Sequence, residues 1–149
     1  MAYNNGYQGR QGGGYFQKDP GAQDFFNDKL SFDPNWIKSG ADKALVSFAE
    51  IAGKYMAKNK LTNSKIRNIY GEIKRIQMGE FEKEKSSFFL LKPKVAYAVG
   101  RDPQIEGLKL FKIIFDLCYN EVNNDHTYKN FCNVIEAILA YHRANGGKD

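Results

Sequence analysis

Apolar residues return every three or four positions in five successive segments, a period that suits helices and not strands. Between Ala41 and Asn59 it is set by Ala44, Leu45, Phe48, Ala49, Ala52, Tyr55 and Met56. In LTNSKIRNIYGEIKRIQM it is set by Ile66, Ile69, Tyr70, Ile73 and Ile76, with Thr62 placed as N-cap. From Glu80 to Val99, Phe81, Phe88 and Val95 recur every seven residues, with Leu91 and Val99 on the same side. A fourth segment carries Ile105, Leu108, Phe111, Ile114, Phe115, Leu117 and Cys118, and a fifth Phe131, Cys132, Ile135, Ile138, Leu139 and His142. No alternating run of β-branched residues interrupts them. The pattern predicts an all-α fold, a compact bundle of about five helices.

Local signals place the boundaries. DPNWIKSG reads as a short turn or 3₁₀ element, Asp33 capping and Pro34 in the first helical position. Gly53 weakens the first long helix modestly. Pro93 falls inside the third and should kink it or mark a fresh start, because it removes one backbone hydrogen bond. Gly100 suits that helix's C-terminal turn, and Asp102-Pro103 reads as the start of the next, which runs to about Val122. NNDHT is the expected turn before a last helix from about Tyr128 to Ala144, ended by Gly146-Gly147.

The first 21 residues hold six of the fourteen glycines together with Tyr3, Tyr7, Tyr15 and Arg10. Such a segment buries too little apolar surface to offset its chain entropy. Residues 1–30 are therefore expected as a disordered Gly/Tyr-rich N-terminal tail, and residues 31–149 as a single helical-bundle domain.

The chemistry that most enzymes need is missing from the pattern. There is no Walker A sequence, no nucleophile elbow and no Asp-rich cluster for paired Mg²⁺ ions. His126 reads as exposed in a turn and His142 as packed near a helix end, with no spacing that suggests a metal cage. Glu136, near the apolar face of the last helix, suits an internal or interfacial ion pair. Cys118 and Cys132 lie in apolar segments and read as buried, reduced thiols. No catalytic residue, metal or cofactor is expected. With no run of about 18 apolar residues and no basic-then-apolar leader, no membrane association is expected, and cytoplasm is the default.

The net charge of +5 is concentrated. Residues 60–101 carry ten cations against four anions, while residues 102–149 carry five against seven. That excess fits a polyanionic partner, and it fits equally an ordinary solvated Lys-rich face. At about 100° per residue, Arg67, Gly71 and Lys74 form a stripe beside Tyr70, with no side chain at Gly71 to hold a sugar-phosphate chain away. Composition and spacing alone reach a basic, helical binding module.

Three segments in succession go further: LTNSKIRNIYGEI, KPKVAYAVGRD and EAILAYHRANGGKD. Over about residues 41–149 they resemble the small subunit of the type III-A (Csm-type) CRISPR effector complex. The resemblance implies a helical protein without a catalytic centre, stacked in several copies inside a ribonucleoprotein filament. Its partners would be guide crRNA and target RNA, the CRISPR backbone (RAMP-type) subunits, the large cyclase/nuclease subunit and neighbouring copies of itself. The backbone subunit would cut target RNA, and the large subunit would make the signalling molecule and cut DNA. Because guide–target pairing reads the sequence, this subunit should touch phosphates and 2′-hydroxyls and not base edges.

The expected RNA-binding residues are first Arg67 and Arg101, whose planar forks suit phosphate. Lys74, Lys92 and Lys94 follow, then Lys65 and Lys60. Lys94 and Arg101, seven apart, can leave one face together, whereas Lys92 lies on a different side and suits a protein neighbour as well. Tyr70 and Tyr97 suit either packing or stacking on a base. The alternative function is an assembly-only scaffold whose basic face meets acidic partner subunits.

Overall fold

The structure is a computed structural model and describes residues 19–147. It contains α1 (Ala22–Lys29), α2 (Asn35–Lys38), α3 (Lys43–Lys58), α4 (Asn63–Met78), α5 (Phe81–Arg101), α6 (Glu106–Tyr119) and α7 (Asp125–Ala144). Among the described residues there is no strand. The five long helices are the expected bundle, and α2 is the short element of DPNWIKSG.

The core is continuous and aromatic at its centre. Phe88 makes an edge contact with Phe131 at 5.7 Å and stacks on Tyr119 at 4.8 Å, and Phe81 stacks on Tyr128 at 5.3 Å. The Tyr128 hydroxyl donates to the Ile73 carbonyl at 2.6 Å, so its polar end is satisfied inside the core. Cys118 and Cys132 are buried and unpaired, and burial pushes the Cys132 thiol up to about 11.

Helix α7 packs most extensively on α3, and Gly53 explains the fit. A methyl group there would lie 2.6 Å from both the His142 amide nitrogen and the Ile138 carbonyl oxygen. Only hydrogen at that position lets the two backbones meet, so the glycine that weakens α3 locally is required tertiarily. His142, fully buried, ties α7 to the α3–α4 loop through Nε2 and the Leu61 carbonyl at 2.6 Å. A carbonyl only accepts, so Nε2 carries the proton.

Several expected boundaries are corrected. Asp102 does not start a helix. Its amide donates to Ala98 and Val99 as the C-cap of α5, and its carboxylate goes to Lys65. Helix α6 therefore begins at Glu106 behind Ile105, and it ends at Tyr119 instead of Val122. Helix α7 begins inside the expected NNDHT turn, because Asn124 and Thr127 form a capping box, so His126 is exposed on a helix. Ala44 faces outward on α3.

Helix α5 runs unbroken through Pro93 and Gly100. The carbonyl that Pro93 leaves without a helical donor is that of Phe89, four residues earlier. The Tyr119 hydroxyl of α6 donates to it at 3.2 Å. A neighbouring helix thus supplies the missing hydrogen bond.

The expected tail reached residue 30, yet α1 lies within it. Phe25 stacks on Tyr55 at 4.1 Å, and the Tyr55 hydroxyl donates to the Pro20 carbonyl at 2.5 Å. The Ala22 amide donates to Glu106 Oε1 at 2.8 Å, which holds that carboxyl below the usual range. Eight residues with two phenylalanines could not signal this by period; the surfaces of α3 and α6 provide the burial. The rest of the expected tail, residues 1–18, lies outside the described residues.

Candidate nucleic-acid interface

Helix α4 divides the basic region in two. Its buried face is Ile66, Ile69, Ile73 and Ile76, and each flank of that face opens on a groove. Thr62 accepts the Lys65 amide at 3.2 Å and fixes where the helix, and so its register, begins.

The first groove, about 780 Å³, lies between α4 and α7. Arg67 and Gly71 line one wall, and Arg143 and Ala140 the other, with Tyr70 half-buried between them. Among the described residues, the side chains of Arg67 and Arg143 make no ion pair or hydrogen bond. A side chain added at Gly71 would meet nothing within 4 Å. Glu136 also lines this groove and is bound by Lys74 at 2.9 Å, the internal ion pair expected for Glu136, and that hydrogen bond raises the lysine's pKa.

The second groove, about 690 Å³, lies between α4 and α5 and holds Lys65, Lys94 and Arg101. Its cations are largely matched. Lys65 pairs with Asp102 at 3.0 Å, and Lys94 approaches Glu72 at 4.0 Å. Glu72 also accepts two hydrogen bonds from Arg75, at 2.8 and 3.0 Å, and these chiefly lower its pKa. The Arg101 guanidinium stands over the Tyr97 ring at 5.9 Å. Tyr97 is 68% exposed, so it is not a core residue.

The seven expected RNA-binding residues therefore do not share one surface. Arg67 and Arg101, the first pair, sit in different grooves. Lys92 turns away from both, its ammonium 5.1 Å from the Tyr119 ring, and Lys60 lines neither, in a left-handed loop conformation at φ 73°. Arg143 was missed. It lies in the EAILAYHRANGGKD segment, outside the basic middle third, and only the packing of α7 beside α4 brings it to Arg67.

Among the described residues, no group of three or more His, Cys, Asp or Glu side chains is placed to hold a metal ion, and no helix is long and apolar enough to cross a membrane. What the fold presents is a helical module with a groove on either flank of α4, the first lined by two arginines without an ion pair among the described residues. The sequence model of the Csm2 Type III-A family matches residues 40–148, which take in α3 to α7. The chain belongs to that family, and so is a small subunit of the type III-A CRISPR complex. No curated protein and no solved structure matches it.

Proposed function

We propose that this subunit lines the channel for guide crRNA and target RNA and grips the sugar-phosphate backbone without reading bases or performing catalysis. The observation that carries this is the α4–α7 groove, which Arg67 and Arg143 both line from opposite walls and where, among the described residues, neither makes an ion pair. An exposed arginine with no partner on its own chain is available to an anion, and a phosphate chain supplies one at every nucleotide. Arg67 and Arg143 are the primary contacts. Lys74 follows after giving up Glu136; Lys65, Lys94 and Arg101 in the second groove are weaker backbone contacts, and Lys60 and Lys92 contribute least. The role supports target RNA binding in antiviral defence, in the cytoplasm, beside the backbone and large subunits.

The test is ultraviolet crosslinking of the assembled complex loaded with target RNA. Crosslinks from RNA to peptides containing Arg67 and Arg143 are expected. Only protein–protein crosslinks from those peptides would overturn the reading. One observation favours a scaffold role elsewhere on the surface. Phe89 and Leu90 of α5 are 51% and 58% exposed, and Met78 at the end of α4 is 86% exposed. Apolar exposure of that kind suits contact with neighbouring subunits.

A further inference from the structure

The two grooves differ in chemistry, and the second is poorly suited to phosphate. Lys65 and Lys94 already face Asp102 and Glu72, so a phosphate entering there meets two carboxylates as well as two ammoniums and the Arg101 guanidinium. A neutral, flat group avoids that repulsion. The groove also holds an aromatic ring that the core does not use: Tyr97, with a guanidinium already parked on one side of it.

We propose that the α4–α5 groove is a seat for one unpaired nucleobase, stacked on Tyr97 and covered by Arg101. This rests on the reading of the protein as an RNA-backbone binder and adds a second, chemically distinct contact to it. A base between ring and guanidinium needs two van der Waals spacings of roughly 3.5 Å, or about 7 Å. The guanidinium carbon now lies 5.9 Å from the ring centroid, and an exposed side chain at a helix end can move outward to admit a base. Asn68 lies in the same groove, with a donor and an acceptor for the base edge. Stacking of this kind tolerates any base, because each has a π-face. The seat would hold a nucleotide splayed from the duplex or lying beyond its end, while the α4–α7 groove holds paired backbone.

The experiment uses the full chain and two single-stranded oligoribonucleotides of equal length, one with bases and one abasic throughout. Tyr97→Ala should weaken binding of the base-bearing strand by about tenfold and leave the abasic strand unchanged, while Tyr97→Phe keeps wild-type affinity for both. Arg67→Glu with Arg143→Glu should weaken both strands alike. Loss from the arginine pair with none from Tyr97→Ala would overturn the base seat and leave the backbone reading standing. No RNA effect from any variant would overturn both. Equal loss of both strands in Tyr97→Ala would overturn the seat, since the ring would then act without a base. So would weakened binding of another subunit of the complex, with RNA affinity intact, which would make the ring a protein contact. Because Tyr97 is exposed, its variants should keep the wild-type melting temperature.

Discussion

The two flanks of α4 carry similar numbers of cations and are chemically opposite. Toward α7, Arg67 and Arg143 have no carboxylate partner among the described residues, and Glu136 in the same groove is held by Lys74. Toward α5, Lys65 and Lys94 are matched by Asp102 and Glu72. The first flank can attract a polyanion with both its arginines as it stands, whereas on the second only Arg101, which stands over the Tyr97 ring, is outside an ion pair. Counting charges along a chain does not separate these cases. Charge that is already neutralised contributes little to long-range attraction, and what matters is the surplus left after folding.

The largest effect that tests this contrast is charge reversal. Arg67→Glu with Arg143→Glu should weaken target-RNA capture by the assembled complex about tenfold or more per arginine, and reduce the salt slope by about one per lost phosphate contact. Lys65→Glu with Lys94→Glu should cost several-fold less. Equal losses, measured by filter binding at two salt concentrations, would erase the distinction between the flanks.

Acid sharpens the second flank. The Glu72 pKa is lowered from 4.5, mainly by hydrogen bonds from Arg75 and also by the nearby charges of Arg75 and Lys94. A carboxyl whose folded pKa is depressed contributes stability in full above 4.5, and that contribution fades as pH falls through the lower folded value. Glu72→Gln should therefore flatten the acid limb of stability below pH 4.5, as read by urea denaturation across that range. An unchanged limb would show that the network contributes nothing.

Gly71 measures how open the first flank is. Gly71→Ala should stabilise the fold by about 0.5–1 kcal/mol in thermal or urea unfolding, because helix entropy improves and the methyl meets nothing within 4 Å. A loss of stability would mean that the groove is closed in solution. The smallest effect belongs to Tyr119→Phe, which removes the donor to the Phe89 carbonyl freed by Pro93. Water reaches that exposed site, so a cost of about 0.5 kcal/mol is expected. No measurable cost would show that α5 passes Pro93 without this support.

Local signals proved dependable where the physics was local. The 3- and 4-residue period placed α3, α4 and α5 because apolar side chains on one face must be buried whatever they meet. Thr62 was readable as an N-cap for the same reason: the cap and the amide it accepts lie three residues apart. Asp102 misled because its carboxylate had a choice, and it took Lys65, 37 residues away, over the amides beside it. Helix α1 escaped notice because its stability is borrowed from Tyr55 and Glu106, far along the chain.

The amino-acid sequence by itself determined that this protein is helical, where its long helices lie and, through three motifs, which family it joins. Each of these follows from periodicity or from residues close together in the chain. Only the tertiary structure decided which cations are spent inside the molecule and which remain for a partner. It set Arg143 across from Arg67 and removed Lys92 to another face. The reason is geometric: a charge is neutralised by whatever folding brings within a few ångströms, and neighbours in space are seldom neighbours in sequence.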